Sequence, residues 1–242
     1  MKRVYREVTT RPVPVGPPPT GLSRGGWGIA LDGRAMRTPG RAELVVPSAT
    51  LAEAIAAEWE AQQGDIQPAT MPLTRLATTA IDRTATQRAL VVAETANYAG
   101  TDLVCYRAEH PPALIARQEA AWQPLIDWAM RRYDAGLAVT SGVVPRAQAP
   151  ATLKAFAAAV AAQDDFRLTA LHTATAACGS LVIALALMEG RLDAEVAFAA
   201  SQLDETFQIE AWGEDAEAAA RRQALTEDLA AAARFVQLLD AE

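Results

Sequence analysis

The hydrophobic pattern of this sequence changes once, near Ser48. Before that point prolines and glycines are closely spaced, and after it apolar residues recur every three or four positions, as in Leu51, Ile55 and Trp59. The first pattern is typical of short strands and turns, and the second of amphipathic helices. The sequence therefore predicts an α+β protein with a small N-terminal antiparallel β-rich domain followed by a larger all-helical domain. We expect the small domain to span residues 1–68, with one helix, and the helical domain to span 69–242.

The N-terminal part contains a strong hairpin signal at Asp32-Gly33, because this dipeptide suits a two-residue turn that requires positive φ angles. A second turn is predicted at Thr38-Pro39-Gly40. A β element this small is marginally stable alone, so it should pack on another part of the chain. The predicted strands are Val4–Val8, Trp27–Leu31 and Ala42–Val46.

The remaining chain reads as a series of helices whose ends carry capping and breaking residues, and Ser48 and Asp193 are predicted N-caps. One segment, 168–188, is about long enough to cross a membrane. Its threonines and His172 favour a central helix surrounded by other helices instead, and no membrane insertion is expected. The predicted helices are 48–63, 71–82, 84–98, 111–133, 151–162, 165–188, 193–211 and 213–239.

Composition and charge exclude several classes of partner. The chain of 242 residues has a formal net charge of −7, which argues against nucleic acid because phosphate binding needs clustered Lys and Arg. Cys105 and Cys178 lie in apolar surroundings and are expected to be reduced and buried. The N-terminus shows no secretory signal and no import leader, so a cytoplasmic location is expected.

The sequence carries little that points to catalysis. It has no phosphate-binding loop, no dinucleotide fingerprint and no nucleophile motif, and its two histidines lack metal-ligand spacing. No catalytic residue, metal, cofactor or bound nucleotide is therefore expected. Two carboxylate pairs, Asp164-Asp165 and Asp204-Glu205, leave open a helical enzyme that uses paired carboxylates on a small substrate. A permanent structural subunit is a third alternative.

The most specific segment is the junction between the last two predicted helices, where Trp212 is surrounded by acidic residues. Acids in a first helical turn can simply complement the helix dipole. Because the junction carries no chemistry, it is also typical of a surface that binds another protein. Leu192, Val196, Ala199, Leu203 and Phe207 should form the buried face of the preceding helix, which leaves Ser201, Glu205 and Gln208 towards solvent. The predicted partner-binding residues are Glu205, Gln208, Trp212, Glu214, Asp215 and Glu217.

Four other residues are expected to have structural roles. Trp59 lies on the apolar stripe of the first helix and is predicted to lie between the two domains. Asp82 and Asp102 are expected to form internal polar contacts, and Trp122 is expected in the helical core.

Several motifs in order along the chain carry a resemblance to a known family. They are Leu31-Asp32-Gly33-Arg34, Glu58-Trp59, Met71-Pro72-Leu73-Thr74, Ala80-Ile81-Asp82, Thr101-Asp102-Leu103, Trp122-Gln123-Pro124-Leu125, Glu189-Gly190-Arg191-Leu192, Leu203-Asp204-Glu205 and Trp212-Gly213-Glu214. The sequence resembles the F1 ATP synthase assembly chaperone family that binds the alpha subunit, known from mitochondria and alphaproteobacteria. The short N-terminus favours a bacterial member.

The resemblance implies a small β-rich domain, a larger helical domain, and neither catalysis nor nucleotide binding. It also implies a function. Such a chaperone binds the unassembled F1 ATP synthase alpha subunit and shields its apolar subunit interface until the beta subunit replaces it.

Overall fold

In the computed structural model, which describes residues 2–14, 25–142 and 146–241, one central strand organises an N-terminal antiparallel sheet. Strand β2 pairs with β1 on one side and with β3 and β4 on the other. Helices follow the sheet along the chain, so the predicted α+β fold class is confirmed. The strands are β1 (Val8–Val13), β2 (Gly26–Leu31), β3 (Arg34–Ala35) and β4 (Val45–Val46).

The position of the first strand differs from the prediction. The predicted strand Val4–Val8 is wrong, because the strand begins at Val8 and Val4 is 87% exposed. The closely spaced prolines do not exclude a strand here, because β1 is an edge strand and an edge accommodates Pro12 without losing a ladder hydrogen bond. The predicted strand Ala42–Val46 is also shorter, since only its last two residues form β4.

The predicted hairpin turn lies between β2 and β3. Asp32 and Gly33 have φ angles of 48° and 75°, the positive values that a two-residue turn of this type requires. The Asp32 carboxylate also accepts the backbone N–H groups of Arg6 and Glu7, both at 2.9 Å, and these bonds lower the pKa of Asp32. The turn thus also holds the segment that precedes β1.

The described residues form ten α-helices and, besides the sheet, a short parallel strand pair, β5 (Tyr106–Arg107) and β6 (Thr140–Ser141). Ser48 caps the first helix as predicted, with its Oγ accepting the Leu51 N–H at 3.2 Å. The helices are α1 (Ala49–Glu60), α2 (Pro72–Thr79), α3 (Arg88–Asn97), α4 (Pro112–Tyr133), α5 (Pro150–Ala161), α6 (Asp165–Cys178), α7 (Leu181–Met188), α8 (Ala194–Ser201), α9 (Leu203–Trp212) and α10 (Ala216–Asp240).

Two predicted helices are each divided in the structure. The predicted helix 165–188 breaks at Gly179, whose φ is 63°, and Ser180 then caps α7 by accepting the Ile183 N–H at 3.0 Å. The predicted helix 193–211 breaks at Gln202, between α8 and α9. Within the described residues no helix is both long and apolar enough to cross a membrane.

Contacts divide the chain into two compact units that do not follow sequence order. The first unit comprises Met1–Arg88, Asp165–Ala170 and Arg234–Glu242, and the second comprises Ala89–Asp164 and Leu171–Ala233. The predicted division at residues 68 and 69 stays a prediction, because contacts alone do not show which segments fold independently.

The end of α10 belongs to the core of the first unit. Phe235 is fully buried and stacks on Phe166, with 6.3 Å between ring centroids. The hydroxyl groups of Ser48 and Thr50 both donate to the Leu238 carbonyl at 2.7 Å. The N-terminal sheet and α1 therefore share a unit with residues about 190 positions further along the chain.

Candidate partner-binding surface

Asp82 joins two parts of the first unit. Its carboxylate accepts the Thr38 hydroxyl at 2.6 Å and the Gly40 N–H at 2.7 Å. A Cβ atom on Gly40 would lie only 2.6 Å from Asp82 Oδ1, so the close approach requires glycine at this position. Asp82 therefore holds the predicted Thr38-Pro39-Gly40 turn.

Trp59 lies in the first unit, on α1. Its ring packs on Tyr5 with 5.8 Å between centroids, and the Tyr5 hydroxyl donates to the Trp59 carbonyl at 2.7 Å. These contacts hold the N-terminal segment on α1. That Trp59 lies between the two domains stays a prediction.

Asp102 is fully buried in the second unit, where its side chain lies beside the first turn of α7. Its carboxylate accepts the Ser180 hydroxyl at 2.6 Å, the Val182 N–H at 3.0 Å and the Val104 N–H at 3.3 Å. Burial raises the pKa of Asp102 to about 6, whereas these donors act in the opposite direction. Asp102 thus links the segment after α3 to the first turn of α7.

Trp122 is fully buried on α4 in the second unit. Its indole Nε1 donates to the Ala200 carbonyl at 2.8 Å, which ties α4 to the end of α8. The Arg107 guanidinium lies over its ring at 5.2 Å. The hydrogen bond to Ala200 therefore holds α4 against α8.

The α9–α10 junction, which we define as residues 203–217, contains the predicted partner-binding residues. Trp212 is the last residue of α9 and is 82% exposed. Gly213 follows with a φ of 85°, and Asp215 then caps α10 by accepting the Ala218 N–H at 2.8 Å. The chain thus turns directly after Trp212 and leaves its indole ring in solvent.

Part of the acidic charge at this junction is neutralised within the second unit. Glu214 pairs with Arg222 at 3.1 Å, and Glu205 lies 3.9 Å from Arg221. Both arginines lie on α10, and their pairing with these acids depends on how α9 and α10 pack. Glu214 and Glu205 are therefore less free for a partner than the sequence suggested.

Gln208 and Glu217 present polar side chains beside Trp212. Both residues are exposed, and neither makes a side-chain hydrogen bond or ion pair with another described residue. The structure thus brings all six predicted residues to one junction, but only Gln208, Trp212 and Glu217 leave their side chains unpaired there.

The prediction that Val196 and Ala199 lie on a buried helix face is wrong. Val196 is 48% exposed and Ala199 is also exposed, whereas Ser201, predicted to face solvent, is buried. The prediction extended one helix through Gln202. The break there rotates α9 relative to α8, so one continuous stripe could not describe both.

The exposed stripe of α8 forms one wall of an apolar groove, and α4 forms the other. We call it the α4–α8 groove. It has a volume of about 700 Å³. It is lined by Arg117, Ala120, Ala121, Pro124, Leu125, Arg191, Leu192, Val196, Ala199, Ala200 and Leu203.

An arginine lies at each end of the α4–α8 groove. Arg117 pairs with Glu210 at 2.8 Å and lies over the Phe207 ring at 5.2 Å, and its pKa is raised chiefly by the hydrogen bond to Glu210. At the other end the Arg191 guanidinium lies 5.9 Å from the Trp128 ring centroid. The groove is thus apolar along its length, with an arginine paired to Glu210 at one end and Arg191 at the other.

The structure shows no group arranged for metal chemistry among the described residues, where no cluster of three or more His, Cys, Asp or Glu is placed to hold a metal ion. Cys105 and Cys178 are free and buried, and burial raises the pKa of both thiols to about 12. These thiols are therefore poor nucleophiles at neutral pH.

The chain is similar to known proteins along nearly its whole length. It matches the crystal structure of Atp12 from Paracoccus denitrificans with 42% identity and a TM-score of 0.89, covering 98% of each chain. A candidate chaperone of Agrobacterium tumefaciens matches with 40% identity and a TM-score of 0.89, covering 99% of this chain and 86% of the other.

Relatives are also recognised by sequence comparison. The mitochondrial protein atp12 of Schizosaccharomyces pombe is 24% identical over 197 residues, which is 76% of this chain and 68% of the relative. The family model described as ATP12 chaperone protein matches residues 2–130, more than half of the chain. The chain therefore belongs to the ATP12 chaperone family, the family of F1 ATP synthase assembly chaperones that its sequence resembles.

Proposed function

We propose that this protein binds the unassembled F1 ATP synthase alpha subunit and shields its apolar subunit interface until the beta subunit replaces it. Membership of the ATP12 chaperone family supports a role in F1 assembly. In this proposal the protein acts by binding alone, without catalysis, cofactor or nucleotide. We further propose that it acts in the bacterial cytoplasm, as its likeness to the Paracoccus and Agrobacterium proteins suggests.

The physical problem explains what such a chaperone must do. A ring subunit that has not yet assembled exposes a large apolar interface, which promotes incorrect association. A chaperone must cover this interface, yet its affinity must be low enough for the true partner subunit to displace it. An exposed anchor beside internally paired charges fits this requirement better than a large closed pocket does.

The observation that carries the proposal is the exposure of Trp212. Tryptophan is among the residues that most often dominate the binding energy of protein interfaces, because its large apolar ring also has a polar edge. Trp212 is 82% exposed, next to the unpaired Gln208 and Glu217. A free ring at this position is what a partner would cover.

Three of the four carboxylates that left an enzyme open as an alternative are engaged in separate contacts. The Asp165 carboxylate lies 2.5 Å from Arg88, and Asp204 accepts the Gln118 side-chain amide at 2.7 Å. Glu205 faces Arg221. These contacts give the carboxylates structural partners, and they favour the binding function over acid–base catalysis.

The proposal is tested by titrating the purified protein with isolated alpha subunit and, separately, with ATP. We expect binding of the alpha subunit and none of ATP. Replacing Trp212 with alanine should weaken alpha-subunit binding by about 2–4 kcal/mol, the range typical of an interface anchor. The matched control is Leu90→Ala, which removes another exposed apolar side chain (50% exposed) and should bind normally. If the unmodified protein does not bind the alpha subunit, the proposal is wrong.

A further inference from the structure

We infer that the α4–α8 groove is a second contact site for the alpha subunit and that it binds an amphipathic helix carrying a carboxylate opposite Arg191. This inference rests on the proposed function, and it goes beyond the α9–α10 junction in naming a separate surface and the chemistry of its ligand. Four features of the groove carry it.

The first feature is an apolar stripe that this chain leaves uncovered. Val196 and Ala199 on α8, and Ala120 and Pro124 on α4, are all exposed within the groove. The opposite side of α8 is already packed, since Ala197 is fully buried. The stripe is therefore additional to the core of the second unit, and a continuous exposed apolar surface of this kind marks a binding site.

The second feature is the size of the groove. Trp122 bonds to Ala200, Arg117 contacts Phe207, and Arg191 contacts Trp128, so α4 and α8 run antiparallel. Arg117 and Trp128 lie eleven positions apart on α4, which corresponds to about 16 Å. This length fits about three turns of a helix. The small side chains of Ala120, Ala121 and Ala199 let another helix approach closely, as in helix-in-groove recognition.

The third feature is the charge at one end. Arg191 is exposed, and it makes no ion pair with any residue that the structure describes, whereas Arg117 is already paired with Glu210. This end of the groove therefore carries a positive charge with no carboxylate partner among the described residues, although the formal net charge of the protein is −7. It complements a carboxylate on the bound helix, and charge complementarity of this kind fixes the register of a docked segment.

The fourth feature is a backbone acceptor within the groove. Pro124 interrupts the hydrogen-bond ladder of α4 because proline has no N–H, so the Ala120 carbonyl lacks its regular helical donor. Both residues line the groove. A polar donor on the bound helix can pair with this carbonyl, which adds specificity to an otherwise apolar contact.

The test uses the full-length protein and isolated alpha subunit, with two groove variants. Ala199→Glu places a charge in the apolar wall, and Arg191→Glu reverses the charge at the end. Each should weaken binding by about tenfold or more, because the first would bury an unpaired charge and the second would oppose like charges. Arg191→Lys keeps the charge and should bind within about threefold of the unmodified protein.

Two controls match these changes. Ala230→Glu adds the same charge at an exposed alanine of α10, and Arg234→Glu reverses another exposed arginine. Both should bind normally. Thermal unfolding of every variant shows whether a loss of binding reflects loss of the fold, and the exposed position of Arg191 makes Arg191→Glu the decisive variant if Ala199→Glu unfolds.

Hydrogen exchange of the complex gives an independent readout. Backbone amides of α8, the helix on which Val196 and Ala199 are exposed, should gain protection when the alpha subunit binds. Normal binding by both groove variants, with no gain in protection, would overturn the groove site and leave the proposed function intact. Failure of the unmodified protein to bind the alpha subunit would overturn both. The third outcome concerns the oligomeric state of the free protein. If Arg191→Glu changed the particle mass in solution from that of an oligomer to that of a monomer, and left alpha-subunit binding normal, the groove would bind a second copy of this chain. That result would overturn the inference.

Discussion

At the scale of single residues, Gly40 and Asp82 are closely packed in the first unit. Gly40→Ala would place a Cβ atom 2.6 Å from Asp82 Oδ1, a distance that requires the carboxylate to move away. We expect a loss of about 1–3 kcal/mol in the free energy of unfolding, since the bonds from Thr38 and Gly40 would be strained or lost. Denaturant unfolding measures this change.

Gly100→Ala is the matched control, because a Cβ atom there meets nothing within 4 Å and the backbone has no positive φ. It should leave stability within about 0.5 kcal/mol of the unmodified protein. Equal effects of the two substitutions would show that Gly40 acts through general chain stiffness and not through Asp82.

The buried carboxyl of Asp102 predicts a pH dependence of stability. Its pKa in the folded protein is about 6, above the value of about 3.9 in an unfolded chain. Folding therefore takes up a proton between these pH values. The stabilisation from protonated Asp102 is present below pH of about 4 and is lost as the pH rises through about 6.

The measurement is the free energy of unfolding of the unmodified protein minus that of Asp102→Asn, followed from pH 7 to pH 4. This difference should increase as the pH falls, by up to roughly 3 kcal/mol, because the variant cannot titrate at this position. Other titrating groups contribute equally to both proteins and cancel. A constant difference would mean that Asp102 stays ionised because the Ser180 and Val182 donors outweigh burial.

At the scale of the elements, the serine cap of α7 and the aspartate cap of α8 show how burial changes the contribution of a helix cap to stability. Ser180 is fully buried, caps α7 and donates to Asp102, whereas the Asp193 carboxylate caps α8 in solvent by accepting the Val196 N–H at 2.8 Å. Asp193→Ala should cost about 1 kcal/mol, the usual value of an exposed cap. Ser180→Ala should cost about 2–4 kcal/mol, because it also leaves the buried Asp102 oxygen without its hydroxyl donor.

Thermal and denaturant unfolding of the two cap variants check this order. Similar costs for both would indicate that the Ser180–Asp102 bond adds little and that Ser180 acts only as a cap. A larger cost for Asp193→Ala would contradict the role assigned to burial.

At the scale of the whole molecule, two aromatic residues near the C-terminus should behave in opposite ways. Phe235→Ala removes a fully buried ring that stacks on Phe166 and should cost about 3–5 kcal/mol. Trp212→Ala removes a larger ring that is 82% exposed and should change stability by less than about 0.5 kcal/mol. Trp212 would thus be dispensable for folding while serving the partner. A melting temperature lowered equally by both changes would place Trp212 among the structural residues.

The location of Phe235 also shows that the first unit combines residues from the beginning and the end of the sequence. The residues from Arg234 onwards share this unit with the N-terminal sheet. Because Ser48 and Thr50 bond to the Leu238 carbonyl, removal of the last turn of α10 should destabilise α1 as well. Contacts between residues this far apart in the sequence leave no signal in a short window of residues. A prediction from such windows therefore divides the chain into continuous segments.

The sequence by itself determined the features that depend on neighbouring residues. The Asp32-Gly33 turn, the Ser48 and Asp193 caps and the limits of α4 follow from local backbone preferences, and the ordered motifs identified the family. Trp212 was predicted as a partner-binding residue by its position among acids at a helix junction.

Only the tertiary structure decided which helix face is buried and which charges are paired. Val196 and Ala199 have the same apolar character on a core face as on an exposed one, so periodicity alone could not identify the α4–α8 groove. The pairing of Glu214 with Arg222 and of Asp102 with Ser180 depends on how separate elements pack. Burial is a property of the space around a side chain, and that space is filled by residues distant in the sequence.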